Sequence, residues 1–104
     1  MYCIIQTTYT HRNNGEDIIN ALFEKNLAAC IQKQAISSRY RWHGQVEHEN
    51  ETLLLIKTRE VLFEEIKDLI LELHDSATPE IIMVPIVNGS REYLDWIDEV
   101  TCAT

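Results

Sequence analysis

The spacing of apolar positions changes several times along the chain, and each change marks an element. Tyr2–Thr8, YCIIQTT, is rich in β-branched and aromatic residues and predicts a strand. A polar loop, YTHRNNG, follows. Ile18 and Leu22, then Ile19 and Phe23, recur at helical spacing, with Glu16 and Asp17 near the positive helix end. Asn13 or Asn14 is the expected cap and Asn26 the expected left-handed stop. Leu27–Trp42 reads as a long strand. His43-Gly44 then reads as a two-residue hairpin turn in which Gly supplies positive φ without steric cost. The return strand, Gln45–Thr58, begins polar and ends apolar, so its far end enters a core while its near end projects. A two-residue loop sets Trp42 opposite Gln45, Tyr40 opposite Glu47, Ser38 opposite Glu49 and Arg39 opposite His48, and opposite residues share a face.

Thr58 is the expected cap of a second helix, whose stripe Leu62, Ile66, Leu69, Ile70, Leu73 ends near His74. The apolar run Glu80–Val87 predicts a buried strand, with Pro85 at an edge or strand end because it lacks a ladder donor. Ser90 is the expected cap of a last helix that turns Tyr93, Leu94, Ile97 and Val100 to the core. The order strand, helix, strand, strand, helix, strand, helix predicts an α+β fold. Its plan is the ferredoxin-like split βαβ sandwich with a long hairpin between the second and third strands and an extra C-terminal helix. At 104 residues, without repeat or linker, the chain reads as one domain, 1–104.

Composition narrows the partners. With 17 acidic and 9 basic residues the formal charge is −8, which repels phosphate backbones, so nucleic acid is excluded. Cys3, Cys30 and Cys102 form no CxxC and no zinc spacing, which suits free thiols in a reducing compartment. The N-terminus lacks a signal-peptide pattern and no run is long enough to cross a bilayer, so the expected setting is cytoplasmic and off the membrane. GxSxG, Walker and HExxH motifs are absent, and Cys30 lies in an apolar strand that resists thiol ionisation. The expected protein is not an enzyme.

Three constellations remain. His43 and His48 are five apart on the hairpin and tend to opposite faces, and Arg39 beside His48 opposes a cation, so a metal there needs a bend or another chain. The same hairpin carries Tyr40 and Trp42 with no local cover. Such an edge invites pairing, and copies in a closed symmetric ring would cover it, so we read the hairpin mainly as an assembly element. Lys57, at the end of an apolar run before a helix start, is either an anion contact or a lysine whose stem lies on the core, and the latter is the plainer reading. His74, Asp75 and Glu80 supply one imidazole and two carboxylates within a short loop, enough for an open divalent site. The plainer alternative is a helix C-terminal histidine beside solvated acids.

At KNLAAC, YRWHG, LLLIKT, LH…TPEII and YLDWI, in this order and over nearly the whole chain, the sequence resembles the CutA family of divalent-cation tolerance proteins. The resemblance implies a ferredoxin-like subunit, a homotrimer built around the hairpin, a cytosolic setting, and a link to copper tolerance with divalent-metal binding. The family's loop His-Pro-Tyr-x-x-Pro-Glu is matched here at His74, Pro79 and Glu80, with Asp75 and Ser76 in place of the inner Pro and Tyr. Some members hold copper through a Cys near the end of the first strand and two adjacent His; the corresponding residues here are Thr7, Leu73 and His74, and Thr7 and Leu73 are not copper ligands. His11 is a further histidine in the first loop that the family pattern lacks. The resulting expectation is a trimeric tolerance protein that binds Cu²⁺ or Zn²⁺ through His74, Asp75 and Glu80. The alternatives are a signalling or small-molecule-binding trimer whose intersubunit cleft is lined by Tyr40, Trp42, Lys57 and Glu80, and a ligand-free scaffold that anchors other proteins.

Overall fold

The chain was analysed as a computed structural model, which describes residues 1–10 and 12–101, with the side chains of 12–14 set aside. The elements are β1 (Tyr2–Tyr9), α1 (Arg12–Glu24), β2 (Cys30–Trp42), β3 (Gln45–Arg59), a 3₁₀ turn (Glu60–Leu62), α2 (Phe63–Leu73), β4 (Ile82–Pro85) and α3 (Arg91–Val100). The four strands form one antiparallel sheet in the order β2-β3-β1-β4. This is the ferredoxin-like arrangement read from the element order, with one helix added at the end.

The hairpin has the register set by a two-residue turn: Trp42 pairs with Gln45, Tyr40 with Glu47, Ser38 with Glu49 and Arg39 with His48. His43 (φ 49°) and Gly44 (φ 78°) both lie in the left-handed region, as a type I′ turn requires. Pairing of β1 with β3 stops at Tyr9 opposite Thr52, so from Ile36 to Glu51 the ribbon runs on as two strands alone. It gives the subunit a long axis of 44 Å against 26 and 21 Å. A free two-stranded ribbon is marginally stable in water.

Alternation along the strands separates two faces. Cys3, Ile5, Leu54, Ile56 and Thr58 are fully buried beneath α1 and α2, against Ile18, Leu22, Ile66 and Ile70. The other face, with Ile4, Gln6, Leu53, Leu55 and Lys57, is partly covered by α3 at one end. There Tyr2 donates a hydrogen bond to Asp98, and the Arg59 guanidinium donates to Thr101 Oγ1 at 2.9 Å and to its carbonyl at 2.7 Å. The bond to Asp98 raises the Tyr2 pKa. Burial pushes the Cys3 thiol up to about 11, leaving it inert.

Several local expectations give way. Thr58 does not cap α2; it stays in β3 and donates to the Leu27 carbonyl at 2.6 Å, tying β3 to the chain entering β2. α2 starts only at Phe63, after the 3₁₀ turn, with no side-chain cap. α1 begins at Arg12, ahead of both asparagines expected to cap it, and their side chains lie outside the described residues. Cys102 lies outside them too. Asn26 is left-handed (φ 56°), as expected of a helix stop. The segment read as a buried strand is β4, a four-residue edge strand with exposed side chains, and Pro85 is its last residue. Cys30 is half-buried at the start of β2. Of the α3 residues turned to the core by the pattern, Ile97 is buried, whereas Tyr93 and Val100 remain partly exposed.

Candidate functional site

Where the ribbon leaves the sheet, it faces the end of β1 and the loop between α2 and β4. A cleft of about 760 Å³ opens there, lined by Thr8–Thr10, by Ser38, Arg39, Tyr40, Trp42, Glu49 and Glu51 of the ribbon, and by His74–Ser76 and Thr78–Glu80. Tyr9 shapes its floor. The ring lies so close to Gly15 of α1 that a Cβ there would come within 2.1 Å of it, so only glycine lets the helix pass. Its lining holds four acidic residues, Glu49, Glu51, Asp75 and Glu80, against one arginine, Arg39, so the cleft is acidic. Tyr40 donates to Glu49 across the ribbon at 2.5 Å. That bond, with three nearby glutamates, pushes its hydroxyl up to about 12, so Tyr40 is a neutral donor at physiological pH. Trp42 meets His43 edge to face.

His74 sits where α2 stops, with its side chain almost wholly covered at 6 % exposure. Nε2 is 2.7 Å from the Thr8 carbonyl, and Nδ1 accepts the Ser76 N–H at 3.0 Å. A carbonyl cannot donate, so Nε2 carries the proton and the lone pair of Nδ1 is occupied. The imidazole therefore pins the loop to the end of β1 and has no lone pair to offer a metal. Asp75 Oδ1 lies 3.7 Å from Nδ1, and Glu80 stands exposed on the cleft wall. Among the described residues no three His, Cys, Asp or Glu side chains converge as a ligand set. His74, Asp75 and Glu80 thus share a cleft without the geometry of a divalent centre; His11 lies outside the described residues.

The cleft unites Tyr40, Trp42 and Glu80 but leaves out Lys57, which lies six positions beyond Glu51 along β3, about 20 Å away. Its ammonium lies 5.6 Å from the centre of the Tyr93 ring on α3. His48 is on the opposite ribbon face, hydrogen-bonded through Nε2 to Ser37 Oγ at 2.7 Å. Sequence reasoning missed Thr8 and Ser76, which act through backbone atoms. It also missed Glu49 as partner of Tyr40, although the diagonal was implicit in the hairpin register.

Thr7, at the position where the resemblance expects a copper-binding cysteine in some members, is fully buried with its hydroxyl unpartnered. A buried hydroxyl without a hydrogen bond costs about 1–3 kcal/mol. Thr7→Val is therefore expected to raise the melting temperature, by about 4–8 °C for each kcal/mol recovered in a domain near this size. An unchanged or lower midpoint in a thermal unfolding scan would mean that the hydroxyl has a partner after all.

The comparisons agree with one another. A family model described as CutA1 divalent ion tolerance protein matches residues 3–100. The divalent-cation tolerance protein CutA of Thermus thermophilus is 39% identical over 99 residues, 94% of this chain and 96% of that protein. Its counterpart of the same name in Archaeoglobus fulgidus is 38% identical over 99 residues, covering 95% and 97%. A solved structure from Archaeoglobus fulgidus, described as the periplasmic divalent cation tolerance protein CutA, superposes with a TM-score of 0.93 over 97% of this chain and 99% of that one.

Proposed function

The chain belongs to the CutA1 divalent ion tolerance family, and from that premise we propose that it is a non-enzymatic tolerance protein working in the cytoplasm as a closed homotrimer. One observation carries the assembly: the sheet ends in two open edges, the long ribbon strand β2 and the short apolar strand β4. Ile82 and Val84 of β4 are 47% and 39% exposed, and they pair with Gln6 and Ile4 on the face opposite α1 and α2. Tyr40 and Trp42 project from the same face of the ribbon. Joining the β2 edge of one copy to the β4 edge of the next is a head-to-tail contact, which closes into a ring when the rotation permits. It continues the sheet, covers both edges and turns the apolar faces inward. None of the helices among the described residues is long and apolar enough to cross a membrane. Light scattering at micromolar concentration is expected to return three times the subunit mass; a single-subunit mass would remove the proposal.

A second reading follows from the isolation of Lys57. In the ring, Tyr40 and Trp42 of one copy approach β4 and α3 of the next, the side where Lys57 and Tyr93 lie. A small-molecule cleft with Tyr40, Trp42, Lys57 and Glu80 is then an intersubunit one, and a thermal-shift screen of anionic metabolites tests it.

Copper or zinc enters this reading only weakly, because the His74 nitrogens are already engaged. A retained divalent ion would rest on Asp75 and Glu80 with water, an oxygen-rich setting that suits a harder ion. We expect His74→Ala to lower stability by about 1–3 kcal/mol, because the Thr8 carbonyl and Ser76 N–H lose their partner. Cu²⁺ and Zn²⁺ titrations should be the same as for the wild type. A variant that kept its stability but lost an ion-binding isotherm would reinstate His74 as a ligand.

A further inference from the structure

The ribbon has a second face, and nothing in a single copy covers it. By register, Arg39, Arg41 and His48 project on the side of the sheet that carries α1 and α2, opposite the side of Tyr40 and Trp42. Nearer the core this side is held by Lys33, whose ammonium is 3.0 Å from Glu16 of α1. Farther out, Arg39 and Arg41 are exposed, and among the described residues neither is in an ion pair. Val46, opposite Arg41, is 62% exposed. Among the described residues, then, two guanidinium groups outside any ion pair stand exposed on the outer ribbon of a chain of net charge −8.

The complementary surface lies on α2. Glu65, Asp68 and Glu72 follow one another at i, i+3 and i+7, so they form one exposed acidic stripe, with the half-exposed Leu71 beside it. Topology places this helix at the correct edge. α1 links β1 to β2 across β3, and α2 links β3 to β4 across β1, so α2 is the helix nearer the β4 edge. When the β2 edge of one copy continues the sheet at the β4 edge of the next, the helix-side face of the incoming ribbon lies beside that copy's α2.

We propose that Arg39 and Arg41 of one copy dock on the acidic stripe Glu65, Asp68, Glu72 of α2 in the next copy, so that a second copy of this chain is the occupant of the cationic ribbon face. The inference rests on the head-to-tail ring and adds a contact that ring closure alone does not require. The strand edges supply the cohesion, and the arginines select the correct edge by charge. A free polyanion is the weaker occupant, because the surrounding acidic surface repels it.

Charge reversal tests it. Arg39→Glu with Arg41→Glu sets acid against acid, and Asp68→Arg with Glu72→Arg sets base against base. Each pair is expected to raise the subunit concentration at half-dissociation by at least about tenfold, as losing a few exposed charge pairs and adding repulsion implies. All four substitutions in one chain restore opposite charges and are expected to bring the native mass back. The milder Arg39→Gln with Arg41→Gln is expected to flatten the salt dependence of assembly while circular dichroism stays native. A wild-type trimer whose reversed variants keep both its mass and its salt response overturns the docking but leaves the ring intact. Dissociation without rescue by the fourfold variant overturns α2 as the partner, and a monomeric wild type overturns ring and docking together.

Discussion

Ile82→Lys combined with Val84→Lys is expected to reduce the native mass to that of one subunit. Both side chains lie on β4, at the sheet edge, and point away from α1 and α2. In a single copy they are 47% and 39% exposed, so lysine there keeps its ammonium in water and the subunit still folds. In a ring the same positions face the inner apolar surface of a neighbour. Two ammonium groups would be buried without partners, at several kcal/mol, and lysine on an edge strand also blocks pairing directly. With every 1.4 kcal/mol worth a factor of ten, dissociation should strengthen by about a thousandfold or more. The measurement is light scattering across a dilution series, with circular dichroism as the control for folding. A variant that stays trimeric at submicromolar concentration would place the subunit contact elsewhere, and the exposed ribbon would need another explanation.

How much of this was legible in the sequence depended on the range of the interaction. The hairpin register followed from counting, because a two-residue turn fixes the phase of both strands and a slip of one residue would reverse every side chain. The α2 stripe was legible for a similar reason: Ile66 and Ile70 are fully buried, as helical periodicity requires. β4 was misread because apolar content reports that a strand will be covered, without saying by what; IIMVP reads the same beneath a helix or against a second copy. Gly15 was read as part of a loop, since nothing local shows that the Tyr9 ring crosses its backbone. The cleft divides along the same line. Tyr40 and Glu49 are joined through the register, whereas His74 reaches a carbonyl 66 positions away, and no local pattern encodes that. Thr58 shows propensity overridden: a good capping residue was taken into β3, where its hydroxyl satisfies the buried Leu27 carbonyl.

The core supplies the other large effect. Ile56→Ala is expected to destabilise the protein by about 2–5 kcal/mol, the range for deleting a buried branched side chain and leaving a cavity. Ile56 is fully buried at the middle of the sheet, paired with Ile5 on one side and Ile31 on the other, in the same apolar cluster as Ile18, Leu22, Ile66 and Ile70. Relaxation is restricted there, because the strands on both sides hold the backbone in register. For a domain whose whole stability is about 5–15 kcal/mol the loss is large, and the midpoint should fall by roughly 10–30 °C. Unfolding must be followed at fixed protein concentration, since the proposed ring would add a concentration-dependent term of its own. Val61→Ala, at a side chain 77% exposed, is the matched control and should change stability by no more than about 0.5 kcal/mol. The contrast with Thr7→Val is the sharper check. Both sites are fully buried on the same side of the sheet, yet one substitution removes packed methyl groups and the other an unpaired hydroxyl, so the midpoints should move in opposite directions. Two shifts of the same sign would show that burial alone, and not the chemistry of what is buried, sets the stability of this core.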